Sequence, residues 1–175
     1  VEIRMSQSTR SAVGPTVCVL VITACLTAGV GRLDAQDVRR CEPVRKFFTE
    51  NFAMVAEVHP ETVDDWRTHK MLPGCSVTAA GGTAMGMSDT AELIYGQLME
   101  AGWVRTPDPR DAPEESSLRL RLKDTDCFFS FYTLATMAIG TEAERRVTLA
   151  FKPNSQDARY NSFVQCVAAM PADPR

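Results

Sequence analysis

The start of this chain limits its fate more than any other stretch. Arg4 and Arg10 precede an uncharged, largely apolar run from Val13 to Val30, which closes on Gly31-Arg32-Leu33-Asp34-Ala35. A basic start, an apolar segment and a short exit with small residues make an export signal. Residues 1–35 are then a leader, cleaved after Ala35, and Gln36 opens the mature chain. Two alternatives use the same segment. Ile22-Thr23-Ala24-Cys25 resembles a bacterial lipobox, in which Cys25 is lipidated. Residues 11–30 are also just long enough for an uncleaved membrane anchor, although Gly14 and Pro15 weaken that helix. The expected location is periplasmic or secreted, with lipid anchoring to the membrane as the alternative.

Residues 36–175 are enough for one domain around one core. They hold 16 basic and 20 acidic side chains, a formal charge of −4. That balance gives no reason to expect nucleic acid or an anionic membrane surface as a partner, since both reward basic patches. Four cysteines fall in this part: Cys41, Cys75, Cys127 and Cys166. In an exported chain they read as two disulfides with three possible pairings. The preferred pairing is Cys75 with Cys127, two expected strand starts, and Cys41 with Cys166, which ties the ends of the domain together. A bridge closing so long a loop contributes about 4 kcal/mol by restricting the unfolded chain. None of the four sits in a C-x-x-C pair, and neither histidine lies at metal-ligand spacing from a cysteine, so no metal and no cofactor are expected.

From Cys41 to Val58, Val44, Phe47, Phe48, Phe52 and Val55 fall three and four apart, the stripe of an amphipathic helix. Pro43 suits its first turn, and His59-Pro60 ends it. A second short helix is expected over residues 60–68, with Val63 and Trp66 on one face, before Leu72-Pro73-Gly74 breaks the chain. Cys75 to Ala80 reads as a strand closed by a flexible turn at Gly81-Gly82. Ser88 or Asp89 caps a helix that runs through Ala101, burying Ile94, Tyr95 and Leu98, with Gly102 after its end and Trp103 folding back on it. Residues 105–117, rich in proline and charge, form an exposed loop. Leu118, Leu120 and Leu122 then alternate with Arg119, Arg121 and Lys123, a strand with one apolar and one basic face. Asp124-Thr125-Asp126 turns into a long strand from Cys127 to Ile139. Gly140-Thr141-Glu142 turns again into a strand over Arg146 to Phe151. Residues 160–170 fit a fourth strand or a helix, with a strand preferred.

The helix reading Ile94-Tyr95 through Leu98 to Gly102-Trp103, followed by paired strands up to Phe151, loosely resembles small uncharacterised bacterial exported envelope proteins. In those a helix ending in Gly-Trp leads into a meander and packs across it. The resemblance implies an α+β architecture and transfers no catalytic motif. The expected fold is α+β: N-terminal helices, then strand, helix and an antiparallel meander of three to four strands, with helices on one face and two disulfides.

Chemistry-bearing constellations are few. His59 and His69, with Asp64 and Asp65 nearby, are the one conceivable metal or acid–base group, but their spacing gives them no shared helical face. There is no G-x-S-x-G elbow, and Ser76, Ser88 and Ser130 have plainer roles in strands and caps. Gly81, Gly82 and Gly86 precede a helix but match no phosphate-binding fingerprint. Arg119, Arg121, Lys123, Arg145, Arg146 and Lys152 are placed to gather on the open face of the meander, where Arg119, Arg121, Lys123 and Arg146 are the candidate binding residues for an acidic polymer or a partner's carboxylates. A solvated, charge-balanced face is the plainer account. Together these features describe an exported, non-catalytic binding or accessory domain of the bacterial envelope, binding at its sheet face or at the loop from Pro107 to Pro113. A histidine-assisted or metal-dependent envelope hydrolase using His59 and His69, and a lipid-anchored structural or assembly factor, are the alternatives.

Overall fold

The computed structural model describes residues 31–106 and 117–170, with side chains from Val38 onward. Residues 1–30 of the expected leader and the loop from Pro107 to Pro113 lie outside the described residues, while residues 31–35 of that leader are the first of α1. Nine elements follow one another: α1 (Gly31–Asn51), β1 (Val55–Asp65), β2 (Lys70–Thr83), α2 (Met87–Glu100), β3 (Val104–Arg105), β4 (Ser117–Leu122), β5 (Thr125–Tyr132), α3 (Glu142–Ala150) and β6 (Ala158–Ala168). The strands form one antiparallel sheet in the order β1-β2-β6-β5-β4-β3. The α+β class holds, with six strands where three to four were expected. No described helix is long and apolar enough to cross a membrane.

Strand alternation gives the sheet two different faces. Val77 and Ala79 of β2, Val164 of β6, Phe129 and Phe131 of β5 and Leu118 and Leu120 of β4 point into one core. Two helices cover that face: α1 through Cys41, Val44, Phe47 and Phe48, and α2 through Ala91, Ile94, Tyr95 and Leu98. Their aromatic rings meet edge-on, Phe48 at 6.3 Å and Tyr95 at 6.4 Å from Phe129. The other face is half covered by α3, which buries Ala143 and Val147. There the Asn161 amide donates to Thr148 Oγ1 at 2.9 Å, and Tyr132 Oη donates to Glu144 at 2.5 Å. Helices therefore lie on both faces, not on one.

Several local expectations fall to tertiary contacts. The first helix stops at Asn51, because Ala53 takes a positive φ of 50°, and the segment read as its end plus a second helix is β1. Pro60 is tolerated there because β1 is an edge strand whose outer N–H has nothing to bond. Pro43 lies well inside α1 and not in its first turn. Gly81 and Gly82 do not turn. They continue β2 because a Cβ at Gly81 would sit 2.7 Å from the Tyr160 ring, and one at Gly82 would press on Phe151 at 3.2 Å. Nor do Leu72-Pro73-Gly74 break the chain: Gly74 lets β2 pass the Cys166 carbonyl, which a Cβ would meet at 2.3 Å. Of residues 146–151, read as a strand, 146–150 belong to α3 and Phe151 is its extended C-cap. Its Thr141 cap accepts from the Glu144 N–H at 3.1 Å, while the Glu144 carboxylate accepts from the Gly140 N–H at 2.8 Å, a variant of the capping box.

Other expectations match. The α2 helix ends with Gly102 at φ 94°, its N–H donating to the Met99 carbonyl and the Trp103 N–H donating to Leu98, the Schellman arrangement. Trp103 then packs edge-on at 5.5 Å from Phe129. Residues 158–168 form a strand, but it inserts between β2 and β5 and does not extend a meander.

All four cysteines of the domain are oxidised, as Cys41–Cys75 and Cys127–Cys166. The preferred pairing is overturned by this insertion. Cys75 and Cys127 both lie opposite Cys166, on its two sides, so roughly 10 Å separates their strands, too far for a bridge. The bridges close loops of 34 and 39 residues, and each contributes about 4 kcal/mol by restricting the unfolded chain. Two fully buried disulfides suit an oxidising compartment.

Candidate ligand pocket

Three segments distant in sequence meet at one end of the core and border a half-open pocket of about 290 Å³. The α1 helix supplies Arg39, Arg40 and Pro43, one turn of residues on a common flank. The segment after α2 supplies Trp103, and the β4–β5 hairpin supplies Leu122, Lys123, Asp124 and Thr125. Each wall has a local cause. Leu122 pairs with Thr125, so Lys123 and Asp124 form a two-residue turn, with Lys123 in the left-handed region at φ 55°. Trp103 is directed inward by the Schellman end of α2 and is only 3 % exposed. Pro43 has no N–H to offer the Arg39 carbonyl one turn before it.

Arg40 locks the walls together. Its Nη1 donates to the Asp124 carbonyl at 3.0 Å, to Asp124 Oδ2 at 3.3 Å and to Thr125 Oγ1 at 3.2 Å. Arg39 and Lys123 are exposed and have no hydrogen-bond or ion-pair partner among the described residues. The lining thus holds three cations against the single carboxylate of Asp124, which is itself 85 % exposed. It contains no histidine, cysteine or serine; its one side-chain hydroxyl, Thr125 Oγ1, donates to Asp124 Oδ1 at 3.4 Å.

The residues expected to form a basic strip are dispersed among three places. Lys123 lines the pocket. Arg146, on α3, forms an ion pair with Glu57 of β1 at 2.6 Å, and that hydrogen bond holds the Glu57 carboxyl below the usual carboxylate range. Arg119 and Arg121 belong to a buried ion cluster under the overhanging β1–β2 hairpin. Arg119 is 3 % exposed, its guanidinium 5.8 Å from the Trp66 ring centroid, 5.2 Å from that of Phe128 and 3.6 Å from Asp65. Arg121 grips Asp126 at 2.6 and 3.0 Å, and Arg67 bridges Asp126 at 3.2 Å to Asp65 at 2.9 Å. The alternation that makes this face basic also makes it a burial site for acids from the hairpin. Arg145 pairs with Glu142 on α3, and Lys152 donates to the Leu149 carbonyl.

The histidines do not form a pair. His59 Nε2 donates to the Glu57 carboxylate at 3.1 Å. His69 sits at the hairpin tip beside Lys70, which pairs with Asp65, so six residues of strand, roughly 20 Å, separate it from His59. Ser76 stands opposite His59 in register, but no side-chain hydrogen bond joins them. The only described group with three donors at metal-binding distance is Cys41, Cys75 and Cys166, whose sulfurs are already spent in disulfides. Sequence reasoning missed Arg39, Arg40 and Trp103 as a set. Arg39-Arg40 was visible as a dipeptide, but nothing local places it beside the β4–β5 turn. No protein-family model, curated protein or solved structure matches this chain.

Proposed function

We propose that this chain is a disulfide-stapled, non-catalytic binding domain that works outside the cytosol, and that the pocket between α1 and the β4–β5 hairpin is its ligand site. The observation behind this reading is the half-open pocket of about 290 Å³ with a buried tryptophan at its wall. That is the liquid volume of about ten waters and the lower end of small-molecule sites. Arg40 ties two of its three walls, α1 and the β4–β5 hairpin, to each other, and the third carries the buried Trp103, so a ligand meets little ordering cost. The two disulfides and the leader-like residues 1–35 support action in the periplasm or outside the cell, where cytosolic nucleotides are absent.

Two experiments test the reading. Mass spectrometry of exported protein should give a mature chain beginning at Gln36. An acylated Cys25 would replace secretion by membrane anchoring, and an intact leader in the cytosol would end the export claim. For the site, a small-fragment library is screened by following the Trp103 indole N–H signal, assigned with Trp66→Phe. Fragments should shift that signal in the native protein and fail to do so in Pro43→Trp, which puts an indole at the pocket mouth and restores a helical N–H. Fragments that bind equally well to Pro43→Trp would refute the site.

A further inference from the structure

We infer that the ligand of this pocket bears an oxyanion, a carboxylate or phosphate, on a compact apolar body; this rests on the pocket being the ligand site. Charge decides the polar end. Arg39, Arg40 and Lys123 against Asp124 leave a surplus of two positive charges around a small pocket, in a chain whose overall formal charge is −3. The cationic character is local, set against a mildly acidic protein, and so repels cations and attracts anions at this one place.

Donor geometry sharpens the choice. Arg40 uses Nη1 for Asp124 and Thr125, while its Nε and Nη2 have no acceptor among the described residues. An arginine has five N–H donors in a fixed fork, so the guanidinium is already oriented and still has an edge to offer. Such a preset fork matches the two oxygens of a carboxylate or phosphate, with Arg39 and Lys123 completing the charge. Neutral hydrogen-bonding ligands would leave this surplus uncompensated. The apolar end follows from Trp103, Pro43 and Leu122, which give a flat aromatic and aliphatic wall against which a ring or short chain loses its water.

The test uses the full mature protein and four probes of nearly equal shape: benzoate, phenylphosphonate, benzamide and benzylamine. Binding is measured by calorimetry and by the Trp103 indole signal, at low and at high salt. Benzoate and phenylphosphonate should bind, benzamide at least about tenfold more weakly, and benzylamine not at all. Raising the salt should weaken the two anions and leave benzamide unchanged. Arg39→Gln and Lys123→Asn should each weaken the anions about tenfold. The melting temperature should not change, since neither side chain has a partner to lose and Asn tolerates the left-handed turn position. Comparison of the two anions separates a carboxylate ligand from a phosphate one. If benzamide binds Trp103 as tightly as benzoate, the oxyanion claim falls and the pocket stands. If no probe shifts Trp103 in the native protein, both fall.

Discussion

Asp126 is the residue whose replacement should most clearly expose how this sheet is held. It is fully buried, yet it accepts from Arg121 Nε at 2.6 Å, Arg121 Nη2 at 3.0 Å, Arg67 Nη1 at 3.2 Å and the Met170 N–H at 3.3 Å. Through Arg67 and Asp65 it clasps the tip of the β1–β2 hairpin onto β5, although three other strand pairings separate β1 from β5 within the sheet. Asp126→Asn keeps the volume and removes the charge, so no cavity complicates the result. Removing one partner of a buried pair costs about 3–5 kcal/mol. Arg121, with a quarter of its side chain exposed, can rehydrate, and Arg67 keeps Asp65, which favours the lower end. About 3 kcal/mol corresponds to a fall in Tm of roughly 6–12 °C for a domain of this size.

Acid provides a second measurement. Burial would raise the Asp126 carboxyl, but the Arg121 hydrogen bond, the Met170 N–H and the charge of Arg121 outweigh it, and the group lies below the usual carboxylate range. A folded-state value below the unfolded one means that the stabilisation is complete above about pH 4 and is lost as pH falls through the folded value. Thermal unfolding of oxidised native protein and Asp126→Asn, followed by circular dichroism across that range, should show a wide gap at neutral pH that narrows on acidification. A neutral-pH gap under about 2 °C, or one that widens in acid, would refute the reasoning.

Three further outcomes are expected. Gly74→Ala places a Cβ 2.3 Å from the Cys166 carbonyl oxygen and should cost about 3 kcal/mol in urea unfolding, whereas Gly96→Ala, with open space around its Cβ, should stabilise α2 by up to about 1 kcal/mol; similar values for the two would contradict the packing account. Thr141→Ala removes the α3 cap and should cost about 1 kcal/mol, detectable as faster amide exchange confined to residues 142–150. In Cys127→Ser, Cys166 is left as a thiol within 4.8 Å of both sulfurs of the Cys41–Cys75 bridge. Its thiolate should attack Cys75, forming Cys75–Cys166 and releasing Cys41 as the thiolate, so peptide mapping after alkylation should find two bridges in exchange, and Cys41–Cys75 alone would argue against that proximity.

Legibility in the sequence followed the range of the interaction that decides each element. Ile94, Tyr95 and Leu98 with Gly102-Trp103 specified α2 and its end because spacing and a left-handed glycine act within a few residues. Leu118, Leu120 and Leu122 specified β4 for the same reason. The apolar stripe of α1 was visible, but its end was not, since Val55 continues the helical spacing and only pairing with Ala80 makes it a strand. The Thr141–Glu144 capping pattern was a readable sign of α3, obscured by alternating Val147, Leu149 and Phe151.

The sequence by itself determined an α+β domain with an even set of cysteines and one strand of alternating leucines and basic residues. Only the tertiary structure decided that β6 enters between β2 and β5, and this one insertion chose the disulfide partners. It also required glycine at 74 and 81, where β6 presses on β2. Contacts across the sheet likewise turned the basic face into a clasp for hairpin carboxylates and brought Arg39 and Arg40 beside the Lys123 turn. Local spacing states which face a residue occupies, but what opposes that face is fixed by segments tens of residues away, whose packing no nearby residue encodes.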